Sequence, residues 1–314
     1  MGCYDRAVGS RDTSLFELGR ALTQSGYKFV TITPESHRRH SLRALGGPPT
    51  LRDIFGWSRP FDRRDLPDAM YALADAAGIL RKSGHELVSA VRFSSANQQL
   101  FVHSAFPTVE SDSVFFGPDT YRYLRFLEQS SGISGIEGRL GVDIGCGSGA
   151  GGIAVAGALD SIVLADVNPR ALQLARVNSR LADRTNVHVV AADILRPFTR
   201  KFDLVVSNPP YLRDPLVRVY RDGGGKLGEG LSVRIVEAAA RSLRPGGRLL
   251  LYTATAIVEG RDTLHGMIDS ILHSSFRNVR YEEIDPDVFG EELERPEYAP
   301  VERLAVIGLD AVRS

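Results

Sequence analysis

Cysteine is nearly absent. Only Cys3 and Cys146 occur among 314 residues, too few for a disulfide framework or a cysteine-built zinc site within one chain. Net charge is absent too, with 38 Lys and Arg against 38 Asp and Glu. That removes the clustered cations on which phosphate affinity rests and argues against a dedicated nucleic-acid binder. No apolar run approaches the roughly 18 residues that cross a bilayer, and Met1–Asp12 carries charges without the apolar stretch of a secretory signal. The histidines show no ligand spacing, so no metal is expected. Internal repeats, low-complexity tracts and a G-x-S-x-G hydrolase elbow are all missing. What remains, 43% hydrophobic and 24% charged, is an ordinary globular balance for a chain of about two domains. It fits a reducing cytoplasm and no membrane partner.

Composition divides the chain near residue 113. Residues 1–113 are expected to form a small module, because three helical stripes precede β-prone runs. Ser14 and Glu17 have capping-box spacing ahead of Leu15, Leu18 and Leu22, which predicts a helix over Ser14–Ser25. Thr50 is a cap for Leu51–Trp57, and Pro67 opens a helix that Gly78 stops. Glu86–Phe93 and Gln99–His103, joined by Ser94–Gln98, predict one hairpin. Three helices and a hairpin suggest a winged-helix-like recognition or dimerisation module, with a homodimer as one arrangement.

Residues 114–314 alternate strand and helix. Strands are expected at Leu140–Ile144, Ser161–Ala165, Val187–Ala191, Phe202–Val206, Arg248–Thr253, Val279–Ile284 and Arg303–Ile307. Helices are expected at Gly151–Leu159, Pro169–Leu181, Ser232–Leu243 and Asp262–Ser274. This pattern predicts an α/β fold, a doubly wound Rossmann-like seven-stranded sheet, with ligands at the carboxyl ends of its strands. The last two strands follow one another through a loop alone, so one of them is expected to run antiparallel.

The most diagnostic stretch is Val142-Asp143-Ile144-Gly145-Cys146-Gly147-Ser148-Gly149, a glycine turn between a strand and a helix. Glycines let backbone turn sharply and lie against a ligand with no Cβ in the way. A helix start there offers free N–H groups, which can pull a thiol pKa down, but nothing else marks Cys146 as a nucleophile and it is expected only as a small neighbour of the ligand. Gly147 to Gly152 also satisfies G-x-G-x-x-G, so an NAD-binding enzyme stays in play. Asp143 weighs against it, because an acid at the strand mouth repels a pyrophosphate yet suits an amino group and a sulfonium. Asp166 ends the second strand, where it can accept from ribose hydroxyls. Asp193 follows the third, where it can bond an adenine amino group while Ile194 packs on the ring. Three acids on three consecutive strand ends make an adenosyl cradle.

Ser207-Asn208-Pro209-Pro210-Tyr211 follows the fourth strand at the same edge. Two prolines fix φ and forbid helix. The rigid turn can direct the Asn208 side-chain oxygen and the Pro209 carbonyl at one NH2 group. Holding both its hydrogens aims the nitrogen lone pair at an electrophilic methyl, and the carbonyls stabilise positive charge growing on nitrogen. Tyr211 would stack on a flat amide or base.

These residues, "DIGCGSG", "ADVNPRAL", "AADIL" and "SNPPY" in this order, resemble the class I S-adenosylmethionine-dependent methyltransferases. Together with "LRPGGRLLL", the Asn-Pro-Pro-Tyr turn is similar to the HemK-like enzymes, which methylate a glutamine amide of release factors or ribosomal protein. The resemblance covers about residues 115–255. It implies S-adenosylmethionine as cofactor, held by Asp143, Gly145, Cys146, Gly147, Gly149, Asp166, Val167, Asn168, Asp193, Ile194 and Asn208. Asn208, Pro209, Pro210 and Tyr211 become the catalytic corner. The family's Pro-Arg-Pro-type segment is replaced by Phe115-Phe116-Gly117-Pro118-Asp119-Thr120-Tyr121, where Asp119 or Thr120 caps a helix flanking the donor.

The expected function is methyl transfer to a planar amide or amino nitrogen, protein glutamine first. A small-molecule acceptor and an RNA base are alternatives, the nucleic acid less favoured. A DNA-binding sensor of the donor is weighed down by the neutral charge. Between Tyr211 and Ser232 a polar loop with glycines at 223, 224, 225, 228 and 230 is expected to form a substrate lid. Tyr220, Arg221 and Lys226 are its candidates for touching substrate. His37-Arg38-Arg39-His40, with Arg43, is the one basic cluster and reads as a solvated face.

Overall fold

The computed structural model describes residues 2–43, 46–130, 139–199, 201–216 and 218–314. Helix α1 (Gly2–Gln24) buries Leu15, Leu18 and Leu22, the stripe that predicted it. It runs through Ser14 rather than starting there. The Ser14 hydroxyl donates to the Ser10 carbonyl at 3.1 Å, a bond made inside a helix in place of a cap. Helix α2 (Pro34–Ser41), opened by Thr33, went unforeseen. Helix α3 (Leu51–Phe55) begins at Thr50 as expected, with Thr50 and Asp53 in a reciprocal capping box. Helix α4 (Asp68–Ala76) follows Pro67 and stops before Gly78.

Two hairpins then replace the single one expected, so among the described residues the N-terminal region has four α-helices and four short strands. β1 (Leu80–Ser83) pairs with β2 (Glu86–Ser89), and β3 (Val91–Ala96) with β4 (Gln99–Ser104). The run Glu86–Phe93 is cut at Ala90, whose N–H donates to the Ile79 carbonyl. Asn97 and Gln98, both at positive φ, make the two-residue turn, so Ser94–Ala96 belongs to the strand and not to the loop.

The second region gives, in order, α5 (Pro118–Gln129), β5 (Leu140–Ile144), α6 (Ala150–Val155), β6 (Ser161–Asp166), α7 (Pro169–Leu181) and β7 (Val187–Ala191). β8 (Phe202–Ser207), α8 (Gly230–Ser242), β9 (Leu243–Val258), β10 (Arg261–Asp262), α9 (Thr263–Ser275), β11 (Phe276–Asp285) and β12 (Arg303–Arg313) follow. Helix α6 is shorter than the expected Gly151–Leu159 and passes into a 3-10 turn at Ala156–Ala158. The sheet runs β11-β12-β9-β8-β5-β6-β7, the seven strands expected, with the two-residue β10 added on β9. β5 to β9 are mutually parallel, and β12 lies antiparallel between β9 and β11.

Alternation along the strands fills both faces. Val205, Leu249 and Leu251 pack with Ile235 of α8 and Ile268 of α9. Leu204, Val206 and Leu250 face the other way, onto Phe126 and Leu127 of α5. Helix α7 has two jobs. Its Ala171, Leu174 and Val177 join a core with Leu15, Leu18, Phe93 and Val102, so the N-terminal helices are packed onto the sheet's own layer. The side chain of Asn178, fully buried, makes the polar link. It accepts from the Val102 N–H at 2.7 Å and donates to the carbonyls of Val102 and Ser148 at 3.0 and 2.8 Å.

Candidate functional site

β5 stands between β6 and β8, the place in an open α/β sheet where a crevice forms at the strand ends. The chain leaves β5 through Gly145 and Gly147, at φ +66° and +53°, conformations that side chains with a Cβ disfavour. A Cβ at either would meet no atom within 4 Å, so this face of the turn is open. It borders a cavity of about 360 Å³. Every residue that the sequence assigned to donor or acceptor lines this cavity except Gly149, which caps α6 instead.

The acids are placed before any ligand arrives. Asp143 accepts the Gly152 N–H at 2.7 Å. Asp166 accepts the Gly147 N–H with one oxygen, at 2.9 Å, and the Asn168 N–H with the other, at 2.8 Å. Burial pushes Asp143 up to about 7 and raises Asp166 as well. Among the described residues no cation forms an ion pair with either. Two buried carboxylates without a counter-charge, beside a turn free of Cβ atoms, fit a cationic ligand with ribose hydroxyls, and S-adenosylmethionine is such a ligand. Cys146 lines the cavity as a small buried residue; burial and the two neighbouring acids raise its thiol instead of lowering it, which leaves it unreactive.

The other donor-side residues differ in what they are free to do. The Asn168 side chain caps α7 by accepting from the Arg170 N–H and donates to the Asp112 carbonyl. Asp193 stands at the rim, tied to Arg196 at 3.3 Å and Arg234 at 3.0 Å. Val167 is exposed and Ile194 buried.

Across the cavity, the Ser207 hydroxyl donates to the Ile144 carbonyl at 2.7 Å and fastens the Asn-Pro-Pro-Tyr corner to the end of β5. Tyr211 is buried, its hydroxyl donating to Asp119. Asp119 or Thr120 was expected as the helix cap. Thr120 does the capping, accepting the Gly117 N–H, while Asp119 serves the tyrosine.

The loop after Tyr211, expected as a lid, is tied down by side-chain contacts over its described residues. Arg218 holds Asp214 through two nitrogens at 2.7 and 2.8 Å. Tyr220 donates to the Thr108 carbonyl at 2.7 Å, and Arg221 pairs with Glu292. Gly228, at φ +104°, lies where a Cβ would sit 2.1 Å from the Tyr211 carbonyl oxygen, so the loop packs directly on the Asn-Pro-Pro-Tyr turn. Tyr220 and Arg221 line the cavity and Lys226 does not. Sequence reasoning missed Phe289 and Arg234, which complete the wall. Their positions are set by chain segments far from any motif.

The basic cluster is no free patch. Arg38 and Arg39 both pair with Glu35, His40 stacks on Trp57 at 3.5 Å, and His37 is buried, its pKa lowered to about 4 mainly by that burial. Among the described residues no cluster suits a metal ion, and no helix is long and apolar enough to cross a membrane.

The chain is 38% identical over 122 residues to a release factor glutamine methyltransferase of Deinococcus radiodurans, which covers 35% of this chain and 44% of that protein. It is 35% identical over 154 residues to the enzyme of the same name from Gloeobacter violaceus, covering 41% and 53%. These alignments span about half the length of the curated relatives. Among solved structures, a Thermus thermophilus 16S rRNA N2 G1207 methyltransferase in complex with AdoMet and guanosine aligns at 18% identity with a TM-score of 0.48, covering 81% of this chain and 64% of that one. The methyltransferase small domain family matches residues 125–281, from within α5 into β11. That stretch is half of the chain and contains both strand-end turns, and the protein is accordingly a member of the methyltransferase small domain family.

Proposed function

We propose that this protein transfers a methyl group from S-adenosylmethionine to the side-chain amide of a protein glutamine. The observation that carries the proposal is the meeting, in one cavity, of the uncompensated acids Asp143 and Asp166 with the Asn208–Tyr211 corner. S-adenosylmethionine supplies a methyl already activated on a sulfonium, so neither a metal nor a covalent intermediate is required of the protein. Asp143 and Asp166 hold the cationic and ribose parts of the donor. The Asn208 side-chain oxygen and the Pro209 carbonyl take the two hydrogens of the acceptor NH2, which turns its lone pair toward the methyl. The same oxygens favour the positive charge that develops on nitrogen.

A protein amide is preferred to an RNA base because the two arginines in the cavity wall are already neutralised, Arg221 by Glu292 and Arg234 by Asp193. A phosphate entering with a nucleotide would find no unpaired wall arginine among the described residues. The names of the relatives support glutamine, and residues 1–113 are proposed as the part that recognises the acceptor protein. The test uses labelled donor, the whole chain, and a bacterial release factor and total bacterial RNA as competing acceptors. Asn208→Ala is expected to abolish transfer while affinity for S-adenosylhomocysteine stays within a few-fold. Undiminished transfer by this variant refutes the positioning role, and label found in RNA instead of protein refutes the acceptor.

A further inference from the structure

Asp119 lies before residue 125, where the family match begins, and nothing in the donor chemistry calls for it. It is nevertheless a buried carboxylate in the cavity wall, on the first turn of α5. One of its oxygens accepts from the Tyr211 hydroxyl. The other accepts from Tyr252, 3.3 Å away, and from Arg122, also at 3.3 Å. Arg122 reaches on to Asp285 at 3.0 Å. Removal from water favours the neutral acid, while the Tyr211 hydroxyl and Arg122 oppose that effect.

We propose that Asp119 is the positioning residue for Tyr211: by fixing its hydroxyl, it sets the direction in which the ring lies beside the acceptor nitrogen. This inference rests on the proposed transfer at Asn208–Tyr211 and deepens it. Prolines restrain the backbone before Tyr211, but they leave the ring's own torsions open. The ring packs in a core with Leu212 and Val301 and meets Phe289 tilted, with centroids 6.1 Å apart, apolar contacts that confine the ring without a directional tie. The hydroxyl bond supplies that tie. Its partner comes from α5, so the helix that walls the cavity also orients the ring that faces the acceptor.

The test compares Asp119→Ala, Asp119→Asn, Tyr211→Phe, Tyr252→Phe and the Asp119→Ala/Tyr211→Phe pair in the whole chain. Asp119→Ala and Tyr211→Phe are each expected to lower kcat for release-factor methylation by on the order of a hundredfold, the cost of small misplacement of reacting groups. The double variant should be no worse than either single change. Asparagine still accepts from the tyrosine hydroxyl and should restore most of the rate. Tyr252→Phe and the affinity for S-adenosylhomocysteine should stay near wild type.

An acceptor-independent measurement uses tyrosine labelled with carbon-13 in the ring, the Tyr211 signals being assigned by their loss in Tyr211→Phe. Asp119→Ala should shift them, and Tyr252→Phe should not. Unchanged Tyr211 signals in Asp119→Ala, or additive losses in the double variant, overturn the positioning role. If wild type fails to methylate the release factor, the acceptor assignment falls and the ring signals decide the role of Asp119.

Discussion

Asp143 gives the sharpest test of the donor site. In the folded protein burial holds its carboxyl at about 7, against an ordinary 3.8. A cationic amino group bound beside it favours the ionised form, so binding releases a proton wherever the free protein still carries one. With a free pKa near 7, about nine-tenths of the sites are protonated at about pH 6 and about one-tenth at about pH 8. Affinity for S-adenosylhomocysteine should therefore rise about tenfold between these values, equal to about 1.4 kcal/mol. Isothermal titration in two buffers of different ionisation enthalpy measures both affinity and the protons released. At about pH 6 close to one proton should leave per ligand bound, and at about pH 8 close to none. Asp143→Asn should bind more weakly at about pH 8 and show no slope. Flat wild-type affinity with no proton release would refute the role given to Asp143, and so would an Asn variant that keeps the full slope.

Two further outcomes follow from packing and from the loop after Tyr211. Gly152→Ala would place a Cβ 2.1 Å from the Leu164 side chain and 3.1 Å from that of Asp143. A loss of about 1–3 kcal/mol is expected, seen as a lower midpoint in urea unfolding together with weaker donor affinity. Tyr220→Phe removes the bond to the Thr108 carbonyl, worth about 1 kcal/mol. Limited proteolysis within residues 213–228 should become several-fold faster while the urea midpoint hardly moves.

The sheet was legible because its signals are local. Pro169–Leu181 and Val187–Ala191 occur with the boundaries that the sequence predicts, since Asn168 caps and Pro169 opens the helix within three residues. Strand-end turns also announce themselves, and so the cavity could be assembled from motifs. Ser14 misled because capping-box spacing recurs by chance inside a longer helix, where the hydroxyl turns back on its own backbone. The Glu86–Phe93 run misled because β propensity does not show where a chain folds onto a new partner strand. Asp119 was legible as a residue at a helix start and not as a tyrosine's partner, because Tyr211 and Tyr252 reach it from 92 and 133 positions away. Cys146 illustrates competition between terms: the pull of a short helix start is outweighed by burial beside two acids.

The amide of Asn178 ties the Val102 backbone to the Ser148 carbonyl of the donor turn. Recombination that grafted this catalytic sheet onto a different front half would therefore sever a brace of the donor turn itself, along with whatever selects the acceptor. A chimaera of that kind inherits a loosened cofactor grip unless the graft also carries a strand edge able to meet that amide.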